Sequence, residues 1–472
     1  MREPLFAGID LGTSGCRLMV INADKKIQFS TTQIYSNPDE QTPQLWWDTV
    51  CALFSDTPET LKKNIRSLSI DGTSGTVLLV DDKGEPLSQA LMYNDLRATK
   101  EAEQIKLHMP INNGGQGAAG SLARVMWLLK HTKHTSPSFA PFTPSVSVVS
   151  KSQSGQNRQK EGRCTSDVFN SSDSPDSANE PTINIVHQAD YIVGKLCNNF
   201  SISDENNCLK LGYDVVNQCW PITELATLGI NKSYLPRVFP AGTPVANITK
   251  TQANALGLST SLKLVTGTTD SIAAFIATGA DTVGDGVTSL GSTLVLKLIS
   301  DKPLFSPEEG IYSHRLDNHW LVGGASNSGA KVLQHYFSQT QIDELTTKLL
   351  PDNPTHLGYY PLINTGERFP LADPQKQGKL SPRPDSDRQF FQGILEGIAN
   401  IEALGYQKLT VLGGLRLTSV RSVGGGSKNS AWTSLRKTAL TENQLAVKMI
   451  TPEQTEAAYG SALLALKGFK AA

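Results

Sequence analysis

The sequence predicts an α/β protein built from two similar halves, and three observations lead there. At 472 residues the chain exceeds what one hydrophobic core holds, so two domains of about 200 residues each are expected. Short apolar strand patterns alternate with helical ones. A turn of Gly, Ser and Thr between two strand patterns occurs near the start and again within residues 286–300, GVTSLGSTLVLKLIS. The expected domains are residues 1–280 and 281–472.

Taken in order, residues 5–10 (LFAGID) and 16–22 (CRLMVIN) read as strands joined by Gly12-Thr13-Ser14-Gly15, a β-hairpin. Residues 65–80 (IRSLSIDGTSGTVLLV) give strand, glycine-rich turn and strand, followed by the Asp-Gly-Pro turn of DDKGEP. Residues 121–131 (SLARVMWLLKH) space their apolar side chains by three and four, as a helix does, and residues 187–197 form a shorter helix. Residues 133–182 are crowded with Ser, Pro, Asn, Gln and Asp. Such a stretch buries too little to offset its ordering entropy, so it reads as a mobile surface insertion. The second half ends in helices at 390–406, 430–440 and 455–468, and between the first two lies VRSVGGGSKNSAW, a strand running into three glycines before a helix. Phosphates and nucleotides favour such helix entrances.

Composition narrows the function classes. Apolar residues at 39% and charged residues at 18% describe an ordinary globular protein. Lys plus Arg (43) balance Asp plus Glu (44), so no broad field draws nucleic acid or an acidic membrane surface, and a small-molecule partner is expected. Cys16, Cys51, Cys164, Cys197, Cys208 and Cys219 show no CxxC pair and no zinc spacing, so free thiols are the default. The opening MREPLFAGIDLGTSG enters a strand pattern at once, with no apolar signal core, and no apolar run reaches the roughly 18 residues of a membrane span. A cytoplasmic location is the expectation.

Five segments carry candidate chemistry. Asp10 ends a strand immediately before Gly12, Thr13 and Ser14, whose N–H and hydroxyl groups suit phosphates while the carboxylate suits Mg²⁺; the same pattern also fits a hairpin with a capping aspartate. Gly291, Ser292 and Thr293 repeat the design, and two facing turns would clamp an ATP tail between domains. A third glycine-rich stretch, Gly323 to Gly329, fits either that clamp or a helix-capping turn. Gly424, Gly425 and Gly426 leave bare backbone against which a nucleoside can lie, with Asn429 in reach. Asp270 follows a strand and a Gly-Thr-Thr turn at the start of an alanine-rich helix. It could accept a proton from an attacking hydroxyl, although spacing alone favours an N-cap.

Together these motifs resemble the FGGY family of carbohydrate kinases along nearly the whole chain apart from 133–182. DLGTSGCR is similar to the family's first phosphate motif, GTTDSIAA to its catalytic-aspartate motif, TSLGST to its second phosphate hairpin and GGGSKNSAW to its adenosine motif. TGERFPLADPQKQG and EAAYGSALLA look like further landmarks. The resemblance implies two ribonuclease-H-like, actin-like ATPase domains with a cleft between them, a sugar-binding first domain and a nucleotide-binding second one. It implies Asp270 as general base and Asp10 assisting Mg²⁺. Gly12, Thr13, Ser14, Gly291, Ser292 and Thr293 would meet the ATP phosphates, and Gly424, Gly425, Gly426 and Asn429 the nucleoside. ATP and a sugar would be the partners, in a monomer or homodimer.

The substrate segment IDGTSGTVLLVDDKGEPLSQALMYNDLRA lacks the Met-His of xylulokinases and the Arg-Glu of glycerol kinases. It resembles instead the short D-ribulose kinases of cyanobacteria and plants. On that branch Ser74 sits at the sugar beside Asp270, and Asp95 lines or braces the pocket. Ser74 as a turn residue and Asp95 as a structural partner of Arg97 are the plain alternatives, and Trp127 reads as core.

Overall fold

The computed structural model describes residues 3–38, 40–110, 113–118, 120–132 and 182–471, so the insertion read at 133–182 lies outside the described residues except for its last position. Sixteen strands are present among the described residues: β1 (Leu5–Leu11), β2 (Gly15–Ile21), β3 (Ile27–Ile34), β4 (Ile65–Gly72), β5 (Val77–Val80), β6 (Asn184–His187), β7 (Ile202–Asp204), β8 (Arg237–Phe239), β9 (Pro244–Asn247), β10 (Lys263–Val265), β11 (Asp285–Leu290), β12 (Leu294–Ser300), β13 (Tyr312–Leu316), β14 (His319–Ser326), β15 (Ser419–Val423) and β16 (Lys448–Ile450).

Two six-stranded sheets form, in the orders β3-β2-β1-β4-β10-β9 and β13-β14-β12-β11-β15-β16. In each, a hairpin opens an antiparallel run, and its first strand then pairs in parallel with a later one, β1 with β4 and β11 with β15. The repeat read from the two glycine turns is therefore a repeat of topology. β5 does not join the first sheet; it pairs with β6 in a small separate ribbon.

Every residue of β1 is buried, as expected of a strand covered on both faces. On one face Ile9 and Leu11 pack with Trp46, Leu53 and Phe54 of the helix Pro43–Asp56, and with Tyr191 and Ile192 of the helix Gln188–Cys197. On the other, Phe6 packs with Tyr459, Ala462 and Leu466 of the last helix, Ala457–Ala471. The described strands of the first sheet run to Val265 and those of the second start at Asp285, while the final helix returns to pack on the first sheet. Glycine permits the approach. A Cβ on Gly8 would lie 2.1 Å from Ala458 O, and one on Gly460 would lie 1.9 Å from Ala273 O.

The helix Asp270–Ala277 lies between the sheets. Its Ala277 joins the core under the first sheet, while Ile272 and Phe275 pack with Val287, Ile299, Leu321 and Val423 of the second. The far face of the second sheet is covered by the helices Asp387–Gly413 and Ser430–Glu442. Cys16, Cys51, Cys197 and Cys208 are free thiols as expected, whereas Cys219 is disulfide-bonded. No helix among the described residues is long and apolar enough to cross a membrane.

Candidate active site

In parallel sheets, ligands gather at the carboxyl ends of the strands, and the candidate residues lie there in both domains. Asp10, one residue before the end of β1, lies directly beside Asp71 of β4, since the two are register partners. The turn after β4 bridges Gly72 to Thr269, which brings the Ser74 backbone N–H toward the Asp270 carboxylate. In the second domain β11 ends at the Gly291 turn and β15 at Gly424, and a Cβ on Gly424 would lie 2.9 Å from Leu290 O. The third glycine stretch completes this second cluster. Gly323 and Gly324 belong to β14, and the turn beyond them supports the Gly291 turn through Leu294 N to Ser328 O at 2.7 Å and Ala330 N to Gly291 O at 2.9 Å. A cavity of about 620 Å³ opens beside Thr293, lined by Asn327, Lys331, His335 and Thr365 among others.

Asp270 is the first residue of its helix, one past the N-cap Thr269, so the N-cap role belongs to its neighbour. Its Oδ1 accepts from the Ser271 N–H at 2.6 Å. Burial pushes the carboxyl above its ordinary range, opposed by that N–H and by the ammonium groups of Lys210 and Lys297. Asp10 is pushed up to about 6 by burial and then by the Asp270 charge, with Asp71 and Arg17 opposing. Arg17 Nη1 donates to Asp10 Oδ2 at 3.3 Å. Asp71 is fully enclosed and driven well above the carboxylate range by burial first and Asp10 second. Ser461 of the returning helix donates to its Oδ2 at 2.6 Å, and its Oδ1 has no partner.

That donor set suits Mg²⁺. Among the described residues no three or more His, Cys, Asp or Glu side chains close around a metal. Mg²⁺ does not require such a cage, because it takes one or two carboxylates and completes its shell with water and phosphate oxygens. Asp10, with the unpartnered Asp71 Oδ1 beside it, offers that much.

The acceptor side is framed by a residue that sequence reading passes over. Arg124 is fully buried in the helix Ser121–His131. It donates to three backbone carbonyls: Gly75 at 2.7 Å, Asp95 at 3.0 Å, and Tyr93. Both carbonyl-bearing loops are thereby pinned beside Ser74. Asp95 commits both carboxylate oxygens to Arg97, at 3.0 and 2.8 Å, which is the structural pair. Arg97 in turn lies 4.9 Å over the ring of Trp127. Asn429 caps the helix Ser430–Glu442 with its Oδ1, which accepts from Trp432 N at 2.9 Å.

Asp71, Lys210 and Lys297 also escape a motif reading. Asp71 had a signal: Asp71-Gly72-Thr73-Ser74-Gly75 nearly repeats Asp10-Leu11-Gly12-Thr13-Ser14-Gly15. Lys297 had a weaker one, a lysine inside the apolar run LVLKLIS.

At the back of the cleft Asn206 ties the domains, donating to Arg315 O at 3.1 Å and accepting from Arg315 N at 3.0 Å. Beside it Glu205, only 4% exposed, is pushed up to about 7 by burial, against the Arg315 charge. Because its folded pKa lies above the unfolded one, its stabilising contribution is complete below about pH 4.5 and is lost as pH rises through 7. Glu205→Gln removes that loss. The variant should gain on the wild type by about 2 kcal/mol between pH 5 and pH 8 in urea unfolding; an unchanged difference would show that Glu205 does not titrate in this range.

Residues 5–144 match the N-terminal domain of the FGGY family of carbohydrate kinases, and residues 286–469 match its C-terminal domain. The chain belongs to the FGGY family of carbohydrate kinases. FGGY members use ATP to phosphorylate an alcohol group, and relatives extend over the whole chain. A xylulose kinase of Staphylococcus xylosus is 22% identical, covering 98% of this chain and 90% of its own. A gluconokinase of Bacillus subtilis is 21% identical, covering 91% and 81%. Among solved structures, a xyloylose kinase from Brucella ovis superposes with a TM-score of 0.79 at 21% identity, covering 99% of this chain and 91% of that one. Plasmodium falciparum glycerol kinase with ADP gives 0.78 at 16%, covering 100% and 90%. Both solved structures share the fold of this chain.

Proposed function

We propose that this FGGY kinase transfers the γ-phosphoryl group of ATP to a primary hydroxyl of a ketopentose, with D-ribulose giving D-ribulose 5-phosphate. The observation that carries the reading is Asp270 itself, a half-buried carboxylate facing the Ser74 loop at the start of the helix packed between the two sheets. In the reaction Asp270 accepts the proton of the acceptor hydroxyl, the oxygen forms a bond to Pγ, and the bond between Pγ and the bridging oxygen of ADP breaks. Asp10 would hold Mg²⁺, which neutralises phosphate charge when bound. Gly12, Thr13 and Ser14 meet the phosphates from one side and Gly291, Ser292 and Thr293 from the other, while Gly424, Gly425, Gly426 and Asn429 hold the nucleoside. Ser74 hydrogen-bonds the sugar, and Asp95 braces the pocket through Arg97. Positioning and charge compensation carry most of the rate, since phosphoryl transfer asks little covalent work of the protein.

The D-ribulose assignment rests on the small residues of Gly72 to Thr76, where xylulokinases and glycerol kinases carry larger side chains. The relatives named xylulose kinase favour D-xylulose as the second reading. ADP release measured over D-ribulose, D-xylulose, gluconate and glycerol decides between them. The highest kcat/KM is expected with D-ribulose; a tenfold preference for D-xylulose would reverse the assignment, and binding without turnover on any sugar would make the protein a sensor.

A further inference from the structure

Lys297 lies on β12, the strand that leaves the Gly291 turn, and its side chain crosses to the first domain. Its Nζ donates to Ser271 O at 2.9 Å and to Ser271 Oγ at 3.1 Å, next in sequence to Asp270. The register explains the direction. Lys297 pairs with Gly323 of β14, which pairs with Tyr312 of β13, so Lys297 and Tyr312 share the sheet face that looks into the cleft. Leu296 and Leu298 on either side point the other way, into the core of the second domain.

In-line transfer fixes where the phosphoryl group must go. Its acceptor oxygen has to lie within hydrogen-bond reach of the base, which puts Pγ and its three oxygens close to Asp270 wherever the rest of ATP is held. That spot is already acidic, since Asp10 and Asp71 adjoin Asp270. A negatively charged group approaching three carboxyl groups needs cations nearby. Arg17 is engaged with Asp10 and Glu456.

We propose that Lys297 is a further catalytic residue: it is the cation that the second domain contributes to the γ-phosphoryl group as it moves to the acceptor, and its bond to Ser271 is its resting position before nucleotide binds. This inference rests on the kinase reading above. Contact with the phosphoryl oxygens strengthens as their charge spreads in the transition state, so the lysine acts on kcat more than on ground-state binding. Burial lowers the ammonium to about 7, with Asp270 supporting the charged form and Lys210 opposing it, so the arriving phosphoryl charge itself recruits the proton. Neighbouring His314 is driven well below its ordinary value by burial and by both lysines.

The test compares Lys297→Met and Lys297→Arg with the wild type, using sugar-dependent ADP release and the binding of Mg²⁺-ADP with and without aluminium fluoride, a mimic of the phosphoryl group in transit. Lys297→Met should lower kcat about 100-fold or more and leave the sugar KM within about threefold. It should weaken the aluminium fluoride complex by a comparable factor while ADP alone binds as before. Lys297→Arg should restore at least tenfold of the lost kcat. If Lys297→Met fails to fold, Lys297→Gln, which keeps a donor for Ser271, carries the same comparison. A kcat within threefold of wild type, or equal losses of ADP and ADP with aluminium fluoride, would overturn the assignment of Lys297 and leave the kinase reading standing. Absence of sugar-dependent turnover in the wild type would overturn both.

Discussion

Asp270→Asn should lower kcat by about 10²- to 10⁴-fold, the range that general-base catalysis supplies, while the protein melts at the same temperature or higher. The two halves of this expectation have one cause. The Asp270 carboxyl is pushed above its ordinary range, chiefly by burial. A carboxyl whose folded pKa is raised gives its full stabilising contribution below the unfolded pKa and loses it as pH rises through the folded one, so ionising Asp270 costs the folded state stability. Catalysis needs that ionised form. Asparagine keeps the volume and an acceptor for the Ser271 N–H, now met at 2.6 Å, and removes the charge. A residue that serves only to start a helix would tolerate the change without kinetic effect, because asparagine is as good a cap as aspartate. Steady-state rates read beside a melting curve therefore separate the base from the cap. For the same reason the acid limb of the wild-type rate profile should fall as pH drops through a pKa above that of an ordinary aspartate, and the variant should lose this limb. Near-wild-type kcat in a folded Asp270→Asn protein would remove Asp270 from the mechanism.

What the sequence made legible was local. The two hairpin turns, the strand entering Gly424 and the aspartate opening an alanine-rich helix are each complete within about ten residues, and a contiguous pattern of glycines and hydroxyls has few structural uses. The two sheets were legible, because each contains its own hairpin. The packing partner of the last helix was not legible. EAAYGSALLALKG follows the second domain in sequence, and only the fit of Gly460 against Ala273 and of Ala458 against Gly8 sends it back to the first sheet.

The rest of the site depends on register and on distant partners. A lysine inside LVLKLIS can face either side of a strand, and pairing with Gly323 is what turns Lys297 into the cleft. Asp95 reads equally as sugar ligand and as partner of Arg97 until the fork of Arg97 is seen on both its oxygens. Arg124 has no motif at all; three carbonyls from two loops make it important, and backbone acceptors leave no trace in side-chain patterns. Asp71 is the one omission that closer reading would have repaired, since its turn duplicates the first.

Arg436→Met is expected to destabilise the protein by about 3–5 kcal/mol, the cost of leaving a buried charge without its partner. Arg436 Nε and Nη2 donate to Glu402 Oε2 and Oε1, both at 2.6 Å, and neither side chain has any exposed surface. Arg436 Nη1 also donates to Ser422 Oγ at 2.7 Å, and Thr288 donates to Glu402 Oε1 at 2.6 Å. These four residues belong to two helices and to β11 and β15, the strands that end in the Gly291 and Gly424 turns. The network fixes both turns from below, so its loss should reach function as well as stability. Methionine fills the space of the arginine stem but strands the Glu402 carboxylate. Glu402→Leu in the same chain removes that charge, and the double variant should recover most of the lost stability, because a well-packed apolar pair often matches a buried ion pair. ATP affinity should behave differently: in the double variant too, Ser422 loses its Arg436 donor and Thr288 its Glu402 acceptor, keeping only Tyr406, so the KM for ATP should remain raised when stability returns. Urea unfolding and the KM for ATP, measured on the single and double variants, test the two halves separately. Full recovery of both would mean that packing alone holds the turns, and that the buried charges contribute nothing to the nucleotide site.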